Sequence, residues 1–179
     1  MPTPTPGTKE AAVAVVVRES ADPELLLIRR AERIGDPWSG HMAFPGGTRR
    51  PQDVDLLATA LRETHEETGI PLSSVGALVG PLDPVVPAST RLPSIIIAPF
   101  VVTVPTQTPA MPDMREVVDA FWIPLSHLRD VRNTREFLLE LELGASRRFP
   151  SVHFGEHVIW GLTHRILVQF LELAEWADL

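Results

Sequence analysis

The most constraining stretch of the sequence is residues 55–68, which stop at Gly69 with Pro71 just beyond, the signature of a terminated helix. At 100° per residue, Leu57, Leu61, Thr64 and Thr68 cluster on one side, while Glu63, Glu66 and Glu67 point to another. Core packing and carboxylate display therefore do not compete. Like charges at such spacings cost an isolated helix about 0.2–0.5 kcal/mol per pair. Spacing alone admits two readings: a solvated acidic face, or a face built around a cation that the sequence does not supply.

A Gly46-Gly47 pair precedes this helix. Glycine lets backbone approach a partner closely because no side chain intervenes. Hard divalent ions such as Mg²⁺ take carboxylate and carbonyl oxygens and leave room for substrate phosphates. A glycine turn beside clustered glutamates thus suits metal-assisted attack of water on phosphorus.

The surrounding chain supplies the framework. Residues 11–17 and 24–30 read as a strand hairpin across Asp22-Pro23, and residues 31–47 as loop. Strands are expected at 75–80, 95–104 and 116–124, with the nearly all-apolar 95–104 central in its sheet. Residues 124–130 and 134–143 read as short helices. In residues 160–179, Leu162, Ile166, Phe170, Leu173 and Ala177 recur at helical spacing. Mixed strands and helices without a repeat or linker predict a single layered α/β domain over 9–179, after a Pro/Thr-rich disordered tail at 1–8.

Composition narrows the partners. With 23 acidic and 16 basic side chains, the formal charge is −7, which disfavours nucleic-acid binding by broad phosphate neutralisation and electrostatic attachment to membranes. An acidic protein still binds a phosphorylated small molecule when cations bridge the two. No apolar run reaches the length of about 18 residues that a membrane span needs. The absence of cysteine removes disulfides and thiolate chemistry. A cytoplasmic location is the default expectation, and a homodimer is plausible by base rate.

The segment "GGTRRPQDVDLLATALRETHEETGI" (46–70) resembles the signature of the Nudix hydrolases, G-x5-E-x7-R-E-U-x-E-E-x-G-U with U aliphatic. Arg62, Glu63, Glu66, Glu67, Gly69 and Ile70 match in order, and Thr64 stands where an aliphatic residue is usual. Asp53 replaces the first glutamate, with one extra residue between it and Arg62. These departures, with "LLIRRA" (26–31) and "GHMAFPGG" (40–47), resemble the coenzyme A pyrophosphatase branch, although Ile28 stands in place of its threonine.

The resemblance implies an α/β/α sandwich with a mixed sheet between helices and a Mg²⁺- or Mn²⁺-dependent pyrophosphohydrolase. Its metal set would be Glu63, Glu66 and Glu67 with the Gly46 carbonyl. Arg62 would hold an acidic neighbour, Asp53 or Glu63. The general base would come from the helix or from a later loop, where Glu116 is the candidate. Arg30, His41 and Arg91 are the candidate substrate contacts. The substrate would be a nucleotide diphosphate derivative: coenzyme A or an acyl derivative, or else ADP-ribose, a dinucleoside polyphosphate or a nucleoside triphosphate. A binding module without turnover is the rival class. Specificity is expected in residues 81–93, 105–115 and 144–160. His153, His157 and His164 form no metal motif, and Trp38, Trp122 and Trp160 are expected to pack internally.

Overall fold

The computed structural model describes residues 7–35, 38–88, 94–140 and 146–176; Arg91 and residues 1–6 of the expected tail lie outside them. The first strand, β1 (Lys9–Arg18), sits near the middle of the main sheet. It pairs in parallel along its whole length with β6 (Ile95–Val104), the strand expected to be central. β6 in turn pairs antiparallel with β5 (Ala77–Pro81). The expected hairpin forms between β1 and β2 (Glu24–Arg30), but the two pair only at Val17↔Leu25 and Arg18↔Glu24. Beyond that point they separate. Two short strands from the segment read as loop occupy the facing edges: β3 (Met42–Ala43) on β2, and β4 (Gly46–Thr48) on β1. The outer edge of β2 carries β7 (Val117–Pro124).

Strand alternation divides the core into two layers. Val15 and Val17 of β1, with Leu25 and Leu27 of β2, face α3 (Leu125–Arg129) and α4 (Gly161–Trp176). Ala12, Ala14, Val16 and Leu26 face α1 (Leu56–Thr68) and α2 (Leu72–Val75). Alanines at 12 and 14 opposite Ala60, all fully buried, bring α1 close to the sheet. The result is the mixed sheet between helices that the sequence predicts. No helix among the described residues is long and apolar enough to cross a membrane.

Three local expectations need correction. Residues 134–140 form β8 (Thr134–Glu140), not a helix. Phe137 and Leu139 turn inward at a period of two, and the strand pairs with β9 (Ser146–Phe154), which continues through a hairpin into β10 (His157–Trp160). So short a helix is marginal without tertiary support, whereas pairing with β9 satisfies the backbone directly. On α4, Ile166, Leu167, Phe170 and Ala174 are buried while Leu173 is exposed, because it falls on the margin of that arc. On α1, Thr59, Ala60, Thr64 and Thr68 are buried and Leu57 is only partly so. Glu63 and Glu67 share the buried flank, leaving Glu66 alone in solvent.

Candidate active site

The site is assembled around α1. Its start is capped by Asp55, whose side chain accepts from the Ala58 N–H at 2.7 Å. Its end is closed by Gly69 in the left-handed conformation (φ 71°), with its N–H on the His65 carbonyl at 2.9 Å. The last carbonyls then receive a second segment: Met111 N–H donates to Thr68 at 2.8 Å and Asp113 N–H to Glu67 at 3.0 Å. Docking of the proline-rich loop on the helix end brings Glu116 towards Glu67.

The glycine pair meets the other flank of the helix. A Cβ at Gly46 would stand 2.6 Å from the Cα of Val13, so β4 lies flush against β1 only because that atom is missing. A Cβ at Gly47 would fall 2.6 Å from the Glu63 carboxylate carbon. The space of one absent side chain is filled by a functional group. The Gly46 N–H donates to Glu67 Oε2 at 2.8 Å.

Glu67 is 3% exposed, and burial pushes its pKa up to about 8; the Gly46 N–H and Arg30 oppose the rise, while Glu63 and Glu116 add to it. Arg30 Nη1 lies 3.9 Å from Glu67 Oε1. Glu116 is partly exposed and has Arg33 Nη2 at 3.5 Å. Its backbone carbonyl accepts from Ala31 N–H at 2.9 Å, tying it to the end of β2.

Below the glutamates lies a tight ionic brace. Arg62 grips Asp53 with two parallel bonds, Nε to Oδ1 and Nη2 to Oδ2, both 2.8 Å. Its remaining Nη1 donates to Glu63 Oε1 at 2.6 Å and to Glu66 Oε2 at 3.3 Å. Asp53 also accepts from the Arg50 N–H and the Thr59 hydroxyl at 2.8 and 2.9 Å. The Arg62 guanidinium, with these donors, holds the Asp53 carboxyl far below the usual carboxylate range. Glu66 leans outward, doubly bonded to Arg50 at 2.8 Å in each contact, which lowers its pKa.

The family comparison agrees with this arrangement: residues 8–141 match the model of the NUDIX domain. The chain belongs to the Nudix hydrolase family. Among curated relatives it is 35% identical over 159 residues to the uncharacterized Nudix hydrolase NudL of Yersinia pestis (strain Pestoides F), covering 89% of this chain and 76% of that protein. It is 39% identical over 150 residues to an uncharacterized protein of Schizosaccharomyces pombe, covering 70% of this chain but only 44% of the relative's length. Among solved structures, a Caenorhabditis elegans Ap4A hydrolase binary complex superposes with a TM-score of 0.56 at 20% identity, covering 70% of this chain and 85% of that one. A MutT/nudix family protein from Enterococcus faecalis reaches 0.61 at 16% identity, covering 97% and 64%. The NUDIX domain of Shewanella oneidensis NrtR, solved with ADP ribose, gives 0.51 at 19% identity, covering 68% and 75%. At such identities the superpositions speak for the fold alone.

Within this Nudix domain the structure gathers Glu63, Glu67, Arg30, Gly46 and Glu116, with Glu66 on the rim. His41 stands apart, its ring edge-on to Trp160 with centroids 5.0 Å apart, in a cleft bordered by β3 and β10. As they stand, no three carboxylate or imidazole groups among the described residues converge tightly enough to hold an ion. Glu63 is drawn to Arg62, Glu66 to Arg50 and Glu67 to a backbone N–H. The donor set nonetheless suits a hard divalent cation: oxygen donors only, one of them deeply buried, on a rigid helix.

Two features escaped sequence reasoning. Arg50 was silent because its role depends on a loop folding back over sixteen residues to Glu66. Asp53 was visible as a motif substitution, but its contact with Thr59 and the Arg50 N–H was not. The Asp53–Arg62 clamp forms with the extra residue present between them.

Proposed function

We propose that the protein is a Mg²⁺- or Mn²⁺-dependent pyrophosphohydrolase that cleaves the diphosphate of a nucleotide derivative by attack of water on phosphorus. The observation that carries this reading is the burial of Glu67 beside Glu63 at the Gly46-Gly47 turn, where the Glu67 carboxyl is desolvated, takes the Gly46 N–H at 2.8 Å and has the Arg30 guanidinium at 3.9 Å. Glu63, Glu66 and Glu67, joined by the Gly46 carbonyl, would hold the ion. A bound divalent ion would neutralise developing charge on the diphosphate and lower the pKa of a water. Arg62, clamped by Asp53, fixes the Glu63 carboxylate. Arg30 lies beyond Glu67, where its guanidinium meets phosphate oxygens. Glu116 approaches from the loop just before β7 and takes the proton of the attacking water.

Coenzyme A or an acyl derivative is the specific substrate favoured by residues 26–31 and 40–47. A second reading is the same chemistry on another nucleoside diphosphate derivative: ADP-ribose, a dinucleoside polyphosphate or a nucleoside triphosphate. The test incubates wild type and Glu67→Gln with diphosphate-linked nucleotides plus Mg²⁺ or Mn²⁺ and identifies the products. Wild type is expected to convert coenzyme A to 3′,5′-ADP and phosphopantetheine, and Glu67→Gln to be nearly inactive while folded. Turnover of a different member alone would move the substrate to the second reading. No turnover of any member would leave a binding module.

A further inference from the structure

Two arginines reach the glutamates of α1, and they are held differently. The Arg62 side chain is 22% exposed and grips Asp53, which is 5% exposed. Arg50 comes from the turn ahead of the helix with its side chain 50% exposed, onto a Glu66 that is 38% exposed. The Arg50 backbone is anchored: its N–H donates to Asp53 Oδ2 at 2.8 Å, and its carbonyl accepts from the Asp53 N–H at 3.0 Å. Arg50 also borders an open cleft of about 370 Å³ lined by Lys9, Thr48 and Arg49. Its side chain therefore has room to leave Glu66 while its backbone stays in place.

Where Arg50 sits, both oxygens of Glu66 are engaged. Nη1 donates to Oε1 and Nη2 to Oε2, each at 2.8 Å, and Arg62 Nη1 adds a 3.3 Å bond to Oε2. Arg50 Nη2 also stands 3.8 Å from Glu63 Oε1. A divalent ion on Glu66 would share these oxygens with a guanidinium bonded to both, and two positive groups so close repel. The guanidinium also offsets the mutual repulsion of the acids along α1. Its grip can be given up, because an exposed ion pair is weak in high dielectric. A dication meets the same carboxylate with twice the charge.

We propose that Arg50 is a built-in competitor of the metal: it holds Glu66 until a divalent ion takes those oxygens, and is then released towards the cleft. This role rests on the reading of Glu63, Glu66 and Glu67 as the metal set. Arg50 then sets the ion concentration at which the site fills, and it steadies the acidic end of α1 below that concentration. A residue that merely braced Glu66 for the metal would act in the opposite sense, since its removal would weaken metal binding.

The experiment titrates Mn²⁺ into wild type, Arg50→Gln and Arg49→Gln at one pH and counts the free ion by electron paramagnetic resonance. Arg49→Gln removes the same charge from the next position, where the side chain is held by Glu10 and the Asp53 and Val54 carbonyls instead. Arg50→Gln is expected to bind Mn²⁺ roughly three- to tenfold more tightly, the loss of an exposed two-bond competitor. Arg49→Gln should stay within about twofold of wild type, as expected for a screened surface charge. Thermal denaturation gives the reciprocal reading. Arg50→Gln should melt below wild type in EDTA, and the gap should close in saturating Mn²⁺. Equal or weaker Mn²⁺ binding by Arg50→Gln, an equal gain in Arg49→Gln, or a stability gap that Mn²⁺ leaves unchanged would each overturn the competition and leave the hydrolase reading standing. Mn²⁺ bound by none of the proteins would overturn the metal set and the competition together. Tighter binding by Arg50→Gln, in a protein that cleaves no diphosphate, would overturn the hydrolase reading alone.

Discussion

Gly47→Ala tests whether the placement of Glu63 is what the glycine pair is for. A Cβ at this position would stand 2.6 Å from Glu63 Cδ and 2.8 Å from each carboxylate oxygen. Ordinary van der Waals contact begins near 3.4 Å. The carboxylate must therefore withdraw by roughly 0.6–0.8 Å. It can do so, because the displaced atoms end a flexible side chain, but only by straining or breaking the 2.6 Å bond from Arg62. The fold should survive with a cost near the lower end of the overpacking range, about 1 kcal/mol. Activity should not survive as well, since a misplacement approaching 1 Å costs about 10²-fold in rate. That factor corresponds to about 2.7 kcal/mol of transition-state stabilisation. The measurement is kcat/KM on whichever diphosphate the wild type cleaves, beside thermal denaturation of both proteins. Gly46→Ala is the contrast: its Cβ would meet backbone of Ala12 and Val13, which cannot retreat, so stability should fall more. A Gly47→Ala enzyme within about threefold of wild type would refute the assignment of Glu63 to the reacting centre, given the sensitivity to position on which the estimate rests.

Three further outcomes are expected. Glu116→Gln should lower kcat at saturating metal by about 10²–10⁴-fold if Glu116 is the base; an unchanged kcat assigns the proton transfer to α1. Asp53→Asn should destabilise the protein at neutral pH by loosening Arg62. The folded pKa of Asp53 lies below its unfolded value, so its contribution is present above about pH 4 and lost as pH falls through the folded pKa. Denaturant titrations should accordingly show the gap between wild type and variant closing in acid, and a gap independent of pH would contradict the clamp. Gly69→Ala places a side chain at φ 71° and should cost about 1 kcal/mol. That loss lowers the melting temperature by about 2–4 °C in a chain of this size.

Much of the site was legible because its chemistry is local. Arg62, Glu63, Glu66 and Glu67 lie within six residues on one helix, whose cap Asp55 and stop Gly69 are written beside them. Helical geometry alone sets their relative directions, so spacing suffices. The same holds for β1, β2 and β6, whose runs of branched aliphatic residues leave few other options. The β8–β10 sheet was not legible. Residues 134–140 carry helix-forming leucines and glutamates, and only pairing with β9 selects the strand. The cleft beside His41 that this sheet closes was hidden for the same reason.

Burial was the other unknown. From sequence, the three glutamates formed one face of equivalent acids. The tertiary structure separates them: Glu66 faces solvent and Arg50, Glu63 fills the space left open at Gly47, and Glu67 is sealed beneath the Gly46 N–H. The sequence by itself determined which carboxylates share a helix. Only the packing of α1 against β1 and β4 decided which of them is desolvated, because burial depends on neighbours that arrive from elsewhere in the chain.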